Sequence, residues 1–173
     1  MKLRKARIDR VISGGQTGAD RGGLEAAIAL RIPHGGFCPR DRLAEDGRIP
    51  DRYLLTEMRS RTYPARTRAN VLAADGTVVF VLGDLPARRS GTALTISLCR
   101  RLRKPCVVID LAGDPRNSRT AFLNWLTAQG VLTLNVAGRR ESEAPGIEQA
   151  VAAFLRSVLQ RRRDTAGRAA GEG

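Results

Sequence analysis

Short apolar segments alternate with amphipathic segments along most of the chain. Apolar segments of strand length cover residues 8–13, 77–82, 106–111 and 131–136, and 53–58 is a further extended piece. Apolar residues recur at helical spacing over 21–30, 64–74, 91–103, 118–129 and 147–162, which predicts helices there. This repeated order of strand and helix predicts parallel strands joined by right-handed crossovers.

Two of the predicted strands have no polar alternation. Residues 77–82 read TVVFVL, and 106–111 are similarly apolar, which is typical of strands buried on both faces. The predicted fold is therefore α/β: a Rossmann-like three-layer sandwich with a mostly parallel sheet of about five or more strands and helices on both faces.

The chain of 173 residues is long enough for one sizeable core, and no internal boundary interrupts its pattern. We expect a single ligand-binding domain over residues 1–163 and a disordered tail over 164–173. No apolar run approaches the roughly 18 residues of a membrane span, and no signal-peptide core follows the basic start. The three cysteines lack the spacing of a metal site. We therefore expect reduced thiols, no metal and a cytoplasmic location.

The formal net charge of +13 comes from 30 basic residues, of which 27 are arginine. Such a charge favours anionic partners. An arginine bias of this kind often reflects genome composition, however, and aromatic residues make up just 4%. Stacking platforms for single-stranded nucleic acid are thus not evident, and we expect nucleic acid not to be the partner.

A glycine-rich loop follows the first predicted strand and precedes the first predicted helix. Glycines allow close approach of the backbone, and a helix start offers free amides, so this position suits a phosphate. Its spacing is neither that of a P-loop nor that of a dinucleotide-binding fingerprint. Asp20 either contacts the ligand or caps the helix. The candidate ligand residues are Ser13, Gly14, Gly15, Gln16, Thr17, Gly18 and Asp20.

Two later loops also follow predicted strands, at the edge where α/β proteins bind ligands. In the second, Ser90, Gly91 and Thr92 open a helix, and Arg89 can pair with a phosphate. The third contributes Asn135 and Gly138. A capped helix start and an ordinary surface loop remain alternative explanations for these two segments.

The long loop over residues 33–50 adds Arg40 and Glu45 as candidate ligand contacts. Glu45 and Asp46 are adjacent carboxylates that also suit a general acid or base, but no nucleophile or metal-ligand set accompanies them. His34 is the single histidine of the chain. We therefore predict no catalytic residue and leave open whether the protein is an enzyme.

These motifs occur together in a fixed order: SGGQTGADRGGLEAA, CPRDRLAEDGRIPDRYLLTEM, YPARTRANVLAADGTVVF, SGTALT and LNVAGRRESEAPGI. The string resembles the molybdenum cofactor carrier family, the circularly permuted branch of the YpsA-like SLOG superfamily, over roughly residues 8–159. The resemblance implies a Rossmann-like fold related to lysine-decarboxylase-like proteins, a pocket for a nucleotide-like molecule, and homo-oligomers. It also implies the molybdenum cofactor as cargo, with the pocket lined by the first two glycine-containing loops.

Related nucleotide-hydrolysing enzymes carry Pro-Gly-Gly-x-Gly-Thr with a downstream glutamate. This chain has Arg-Arg-Ser-Gly-Thr at 88–92 and no glutamate in 93–97, which disfavours that chemistry. We therefore expect a carrier for a phosphate-bearing small molecule. An enzyme acting on a nucleotide or NAD-derived metabolite, through Glu45, Asp46 or Glu141, is the alternative. A nucleic-acid-binding module using Arg161, Arg162 and Arg163 is a third.

Overall fold

A computed structural model describes residues 5–83 and 88–161. The helices of this part are α1 (Ala19–Ala29), α2 (Tyr63–Ala73), α3 (Gly91–Arg101), α4 (Pro115–Gln129) and α5 (Ile147–Val158). The strands are β1 (Ala6–Ile8), β2 (Arg10–Ile12), β3 (His34–Gly35), β4 (Phe37–Cys38), β5 (Leu43–Ala44), β6 (Gly47–Arg48), β7 (Thr56–Glu57), β8 (Gly76–Val81), β9 (Cys106–Asp110), β10 (Thr133–Gly138) and β11 (Leu159–Arg161). A 3₁₀ turn covers Arg40–Arg42.

The main sheet has five parallel strands in the order β3-β2-β10-β8-β9, which confirms the predicted α/β fold. Strand β10 is the last of the five in the chain but lies between β2 and β8. Every residue of β8 is buried, as its unbroken apolar sequence predicts. The crossover from β2 through α1 leads to the β3 edge, whereas the crossover from β8 through α3 leads to the β9 edge.

Close helix packing covers one face of the sheet. Helix α1 lies against α5 and β10, and a methyl group added at Gly23 would overlap the side chain of Val136. Phe154 of α5 packs edge-on against Phe80 and Phe122, with ring centroids 5.6 Å apart in both pairs. This core holds α1, α4 and α5 on the same face, while α2 and α3 pack together on the other.

The first predicted strand is divided in two, and the last predicted helix is too long. Both Asp9 and Arg10 donate their amides to the carbonyl of Leu132, and this irregularity separates β1 from β2. Strand β1 pairs with β11, so residues 159–161 are strand rather than helix. The predicted helix to residue 162 was wrong there because strand pairing overrides the helical pattern.

The expectation that residues 106–111 are buried on both faces was also wrong. Strand β9 is the edge of the sheet, and Val108 is 41% exposed. Helix α4 begins three residues earlier than predicted, because Asp114 accepts the Arg116 amide (2.8 Å) and caps it. Within 53–58, only Thr56–Glu57 form a strand, paired with β4. None of the described helices is long and apolar enough to cross a membrane.

Candidate functional site

A cleft opens at the carboxyl ends of β2, β10 and β8. The crossovers that follow β2 and β8 diverge toward opposite edges of the sheet, and such a point is where open α/β sheets bind ligands. The cleft encloses about 600 Å³ including its open mouth. Its lining residues are Gly14, Gln16, Asp20, Tyr63, Arg66, Thr67, Asn70, Gly91, Thr92, Leu94, Thr95, Asn135, Val136, Ala137, Gly138, Arg140 and Glu143.

The fold brings together candidates from all three predicted loops. Those that line the cleft are Gly14, Gln16, Asp20, Gly91, Thr92, Asn135 and Gly138. The candidates Ser13, Gly15, Thr17, Gly18, Glu45 and Ser90 belong to the loops around it but not to its lining. Arg40 lies in a separate surface depression with Glu57 and Met58, and Arg89 is exposed.

The first glycine-rich loop directs its amides into the protein. Gly15 donates to Ser13 Oγ (3.4 Å), Gln16 to Asp20 Oδ2 (3.3 Å) and Thr17 to Gln16 Oε1 (3.0 Å). At the start of α1, the Ala19 amide donates to a carbonyl of the loop after β10. Four of the amides that the sequence offered for phosphate, those of Gly15, Gln16, Thr17 and Ala19, are therefore already paired.

Asp20 does not cap α1. The N-cap residue is Gly18, at a φ of 80°, and Asp20 lies inside the first turn. Its buried carboxylate accepts from Arg66 Nη1 of α2 (2.9 Å). Burial raises the pKa of Asp20, and the Arg66 guanidinium opposes that rise. The pair links α1 to α2 beneath the cleft.

Two donors in the lining have no partner within the part of the chain that the structure describes. Gln16 Oε1 accepts from the amides of Thr17 (3.0 Å) and Glu45 (2.9 Å), which fixes the orientation of the carboxamide. Its Nε2 is buried and has no hydrogen-bond partner among those residues, and the same holds for Arg66 Nε. Buried donors without partners are uncommon in folded proteins and call for an explanation.

Glu45 ties the long loop to the loop after β10. Its carboxylate accepts from the Thr17 hydroxyl and from the Ser142 hydroxyl (2.6 Å). Burial alone raises the pKa of Glu45, but these hydrogen bonds outweigh it and lower the pKa. Asp46 is paired with Arg21 through two bonds of 2.5 and 2.8 Å, which lower the pKa of that carboxyl.

Glu141, the third carboxylate of the enzyme hypothesis, accepts from the amides of Gly146 (2.5 Å) and Glu148 (3.1 Å). All three carboxylates thus make structural bonds between or within loops.

The start of α3 also borders the cleft, and its amides are bonded differently from those of the first glycine-rich loop. Ser90 caps this helix by accepting a hydrogen bond from the Ala93 amide (3.1 Å). This cap does not use the two amides that precede Ala93. Those of Gly91 and Thr92 have no acceptor among the described residues, as expected of the first amides of a helix. A methyl group added at Gly91 would meet no described residue within 4 Å, and Gly91 lines the cleft.

Helix α2 supplies lining residues that sequence reasoning missed. Tyr63, Arg66, Thr67 and Asn70 follow one another at helical spacing, so one polar stripe of α2 faces the cleft. Thr67 and Asn70 are nearly inaccessible to solvent, although their types favour a surface position. The signal available in the sequence was this recurrence of polar residues at helical spacing along α2.

Arginines surround the mouth of the cleft. Arg140 and Arg66 approach the Tyr63 ring, with guanidinium carbons 5.1 and 5.7 Å from its centroid. The other lining residues that the sequence analysis missed are Leu94, Thr95, Val136, Ala137 and Glu143. Among residues 5–83 and 88–161, no three or more His, Cys, Asp or Glu side chains are grouped to hold a metal ion. Of the basic tail proposed for nucleic acid, Arg162 and Arg163 lie outside the described residues.

The fold and its switch-point cleft define a Rossmann-like α/β domain. Residues 11–159 match the model of the circularly permutated YpsA SLOG family, and the chain belongs to that family. It is also similar to a crystal structure from Syntrophus aciditrophicus SB described as a "putative molybdenum carrier protein". The two share 41% identity with a TM-score of 0.84, over 90% of this chain and 98% of the other. No curated protein matches the chain.

Proposed function

We propose that this protein is a carrier that binds a phosphate-bearing small molecule in the cleft, and that the molecule is the molybdenum cofactor. The observation that carries the proposal is the open start of α3, where the Gly91 and Thr92 amides lack acceptors among the described residues. The family and the description of the Syntrophus protein support the choice of cargo.

The phosphate end of the ligand has a defined position in this proposal. A helix N-terminus combines free amides with a partial positive charge, and both favour a phosphate oxygen. The Thr92 hydroxyl and the Arg140 guanidinium belong to the same lining and add donors. The proposal places the phosphate at α3 rather than at the first glycine-rich loop, where the amides of Gly15, Gln16 and Thr17 are already paired.

The rest of the cleft suits a flat polar ring. Its lining combines polar side chains, such as those of Thr67 and Asn70, with the apolar side chain of Leu94, as is typical of small-molecule sites. The cofactor holds molybdenum through its own dithiolene sulfurs. A carrier therefore needs to grip the phosphate and the pterin, and to limit the access of water to the metal.

The test is thermal unfolding of the protein with molybdenum cofactor released from a molybdoenzyme, compared with GMP, AMP and NAD. A ligand at 100 times its Kd stabilises the folded protein by about 2.7 kcal/mol. For a domain of this size, that corresponds to a rise in Tm of roughly 5–10 °C. We expect the cofactor to give the largest rise.

Thr92→Ala is expected to reduce the rise, since it removes a hydroxyl from the lining. Thr120→Ala, on the exposed side of α4, is the matched control and is expected to behave as wild type. A nucleotide that gives the largest rise and is hydrolysed on incubation would reject the carrier function in favour of the enzyme alternative.

A further inference from the structure

We infer that the deep wall of the cleft selects an oxo-substituted heterocycle, of the guanine or pterin type, over an amino-substituted ring such as adenine. Gln16 is the residue that makes the selection, by donating from Nε2 to the ring carbonyl. This inference rests on the proposed function, because it concerns the same cleft, and it names the class of ring that the ligand carries.

The orientation of Gln16 is the first step. Two backbone amides, those of Thr17 and Glu45, both donate to Oε1 at 3.0 and 2.9 Å. Turning the carboxamide over would direct Nε2 at two N–H groups, which is unfavourable. Nε2 is therefore a donor of fixed direction, in a residue that lines the cleft and is only 5% exposed.

The second step concerns a neighbouring donor, Nε of Arg66, which also lacks a hydrogen-bond partner among the described residues. This Nε is buried, while Nη1 of the same guanidinium donates to Asp20 Oδ2. The Gln16 amide donates to that same oxygen at 3.3 Å. The two residues therefore converge on one carboxylate, and both of their unpartnered atoms are N–H donors.

Both atoms are buried, although the residues that carry them, Gln16 and Arg66, line the cleft. The Arg66 guanidinium rests against Gly14, where a methyl group would overlap it, so the arginine depends on the absence of a side chain there. In the inferred complex, the long side chain of Arg66 shifts when a group enters the cleft, and both donors then reach that group.

A cleft wall that presents hydrogen-bond donors requires a ligand that carries a hydrogen-bond acceptor. A ring carbonyl, as in guanine or an oxo-pterin, offers an oxygen with two lone pairs. The exocyclic amino group of adenine would direct N–H toward N–H and leave buried donors unpaired. Sites that hydrogen-bond one substrate group reject analogues that lack it more strongly than sites that rely on apolar fit.

The experiment is isothermal titration of the full chain with GMP, AMP, 6-carboxypterin and inorganic phosphate. GMP and AMP carry the same phosphate and differ in the ring edge. We expect GMP or 6-carboxypterin to bind wild-type protein at least about tenfold more tightly than AMP. Gln16→Glu keeps one oxygen for the Thr17 and Glu45 amides and replaces Nε2 with an acceptor, so it is expected to abolish that margin.

Gln129→Glu makes the same change at the exposed end of α4 and is expected to keep the margin. Arg66→Lys is a second variant that preserves a cation for Asp20 but lacks Nε, and it is expected to reduce the margin. Circular dichroism and the Tm of each variant establish that it is folded.

Equal affinity for GMP and AMP, or tighter binding of AMP, would overturn the inference and leave the phosphate site intact. A margin that survives in Gln16→Glu would overturn the role of Gln16. The inference would also be overturned if inorganic phosphate bound as tightly as the ligands that carry a ring. Absence of binding by all four ligands would contradict both this inference and the proposed phosphate site.

Discussion

The amide of Gly91 provides a direct test of the proposed phosphate position, through replacement with proline. Proline lacks the N–H and is well accepted at the first residue of a helix. Ser90 has φ −91° and ψ 161°, which is the extended conformation that a residue before proline prefers. The space around Gly91 also accommodates a side chain. The substitution therefore removes one donor without disturbing α3.

Gly91→Ala is the matched control, because it adds a Cβ at the same place and keeps the amide. The difference between the two variants reports the loss of the N–H together with its replacement by the proline ring, and the effect of the added Cβ cancels. A bond from an amide to a charged acceptor contributes about 1.5–3 kcal/mol. The Kd of Gly91→Pro should therefore exceed that of Gly91→Ala by roughly 10- to 150-fold.

The assay is isothermal titration with phosphorylated and dephosphorylated forms of the same ligand, for example GMP and guanosine. The loss should appear for the phosphorylated form and not for the other. The Tm of the unliganded Gly91→Pro protein should equal or slightly exceed that of Gly91→Ala, since proline restricts the unfolded chain. Equal affinities of the two variants for the phosphorylated ligand would refute the assignment of the phosphate to α3.

Three further predictions concern stability. Gly18→Ala should lower the free energy of unfolding in urea by at least about 2 kcal/mol, since φ is 80° and the methyl group would overlap the backbone at Arg139. Gly130→Ala, at φ 61° but in open space, should lose only about 1 kcal/mol, and equal losses would contradict the close approach. Glu45 has a folded-state pKa below its usual value of 4.5, so its stabilisation is present above pH 4.5 and is lost as the pH falls through the lower value. Urea titrations at several pH values should therefore show a weaker acid dependence for Glu45→Gln than for wild type, and identical slopes would contradict the role of its hydrogen bonds. Asp20→Asn should cost about 3–5 kcal/mol, because Arg66 would be left as a buried charge, and a variant as stable as wild type would show that this pair does not hold α2 to α1.

The sequence by itself determined the layered α/β architecture and the edge of the sheet where the cleft lies. The apolar segment that forms β8 is buried throughout, as its composition predicts. The similarly apolar segment 106–111 is a strand as predicted, but composition did not reveal that it forms an edge of the sheet. The start of α3 was also predicted from the local sequence, because Ser90 supplies its own cap within three residues. Both features depend on neighbours in the chain.

Only the tertiary structure decided which amides lack acceptors among the described residues and which residues line the cleft. Asp20 meets Arg66 across 46 positions of the chain, and Thr17 meets Glu45 across 28. These long-range contacts hold α1 against α2, and the first glycine-rich loop against the loop that carries Glu45. The place of β10 between β2 and β8 likewise follows from its pairing with both strands, which no local pattern specifies. Hydrogen bonding and burial depend on which distant groups the fold brings together, and periodicity along the chain carries no information about that.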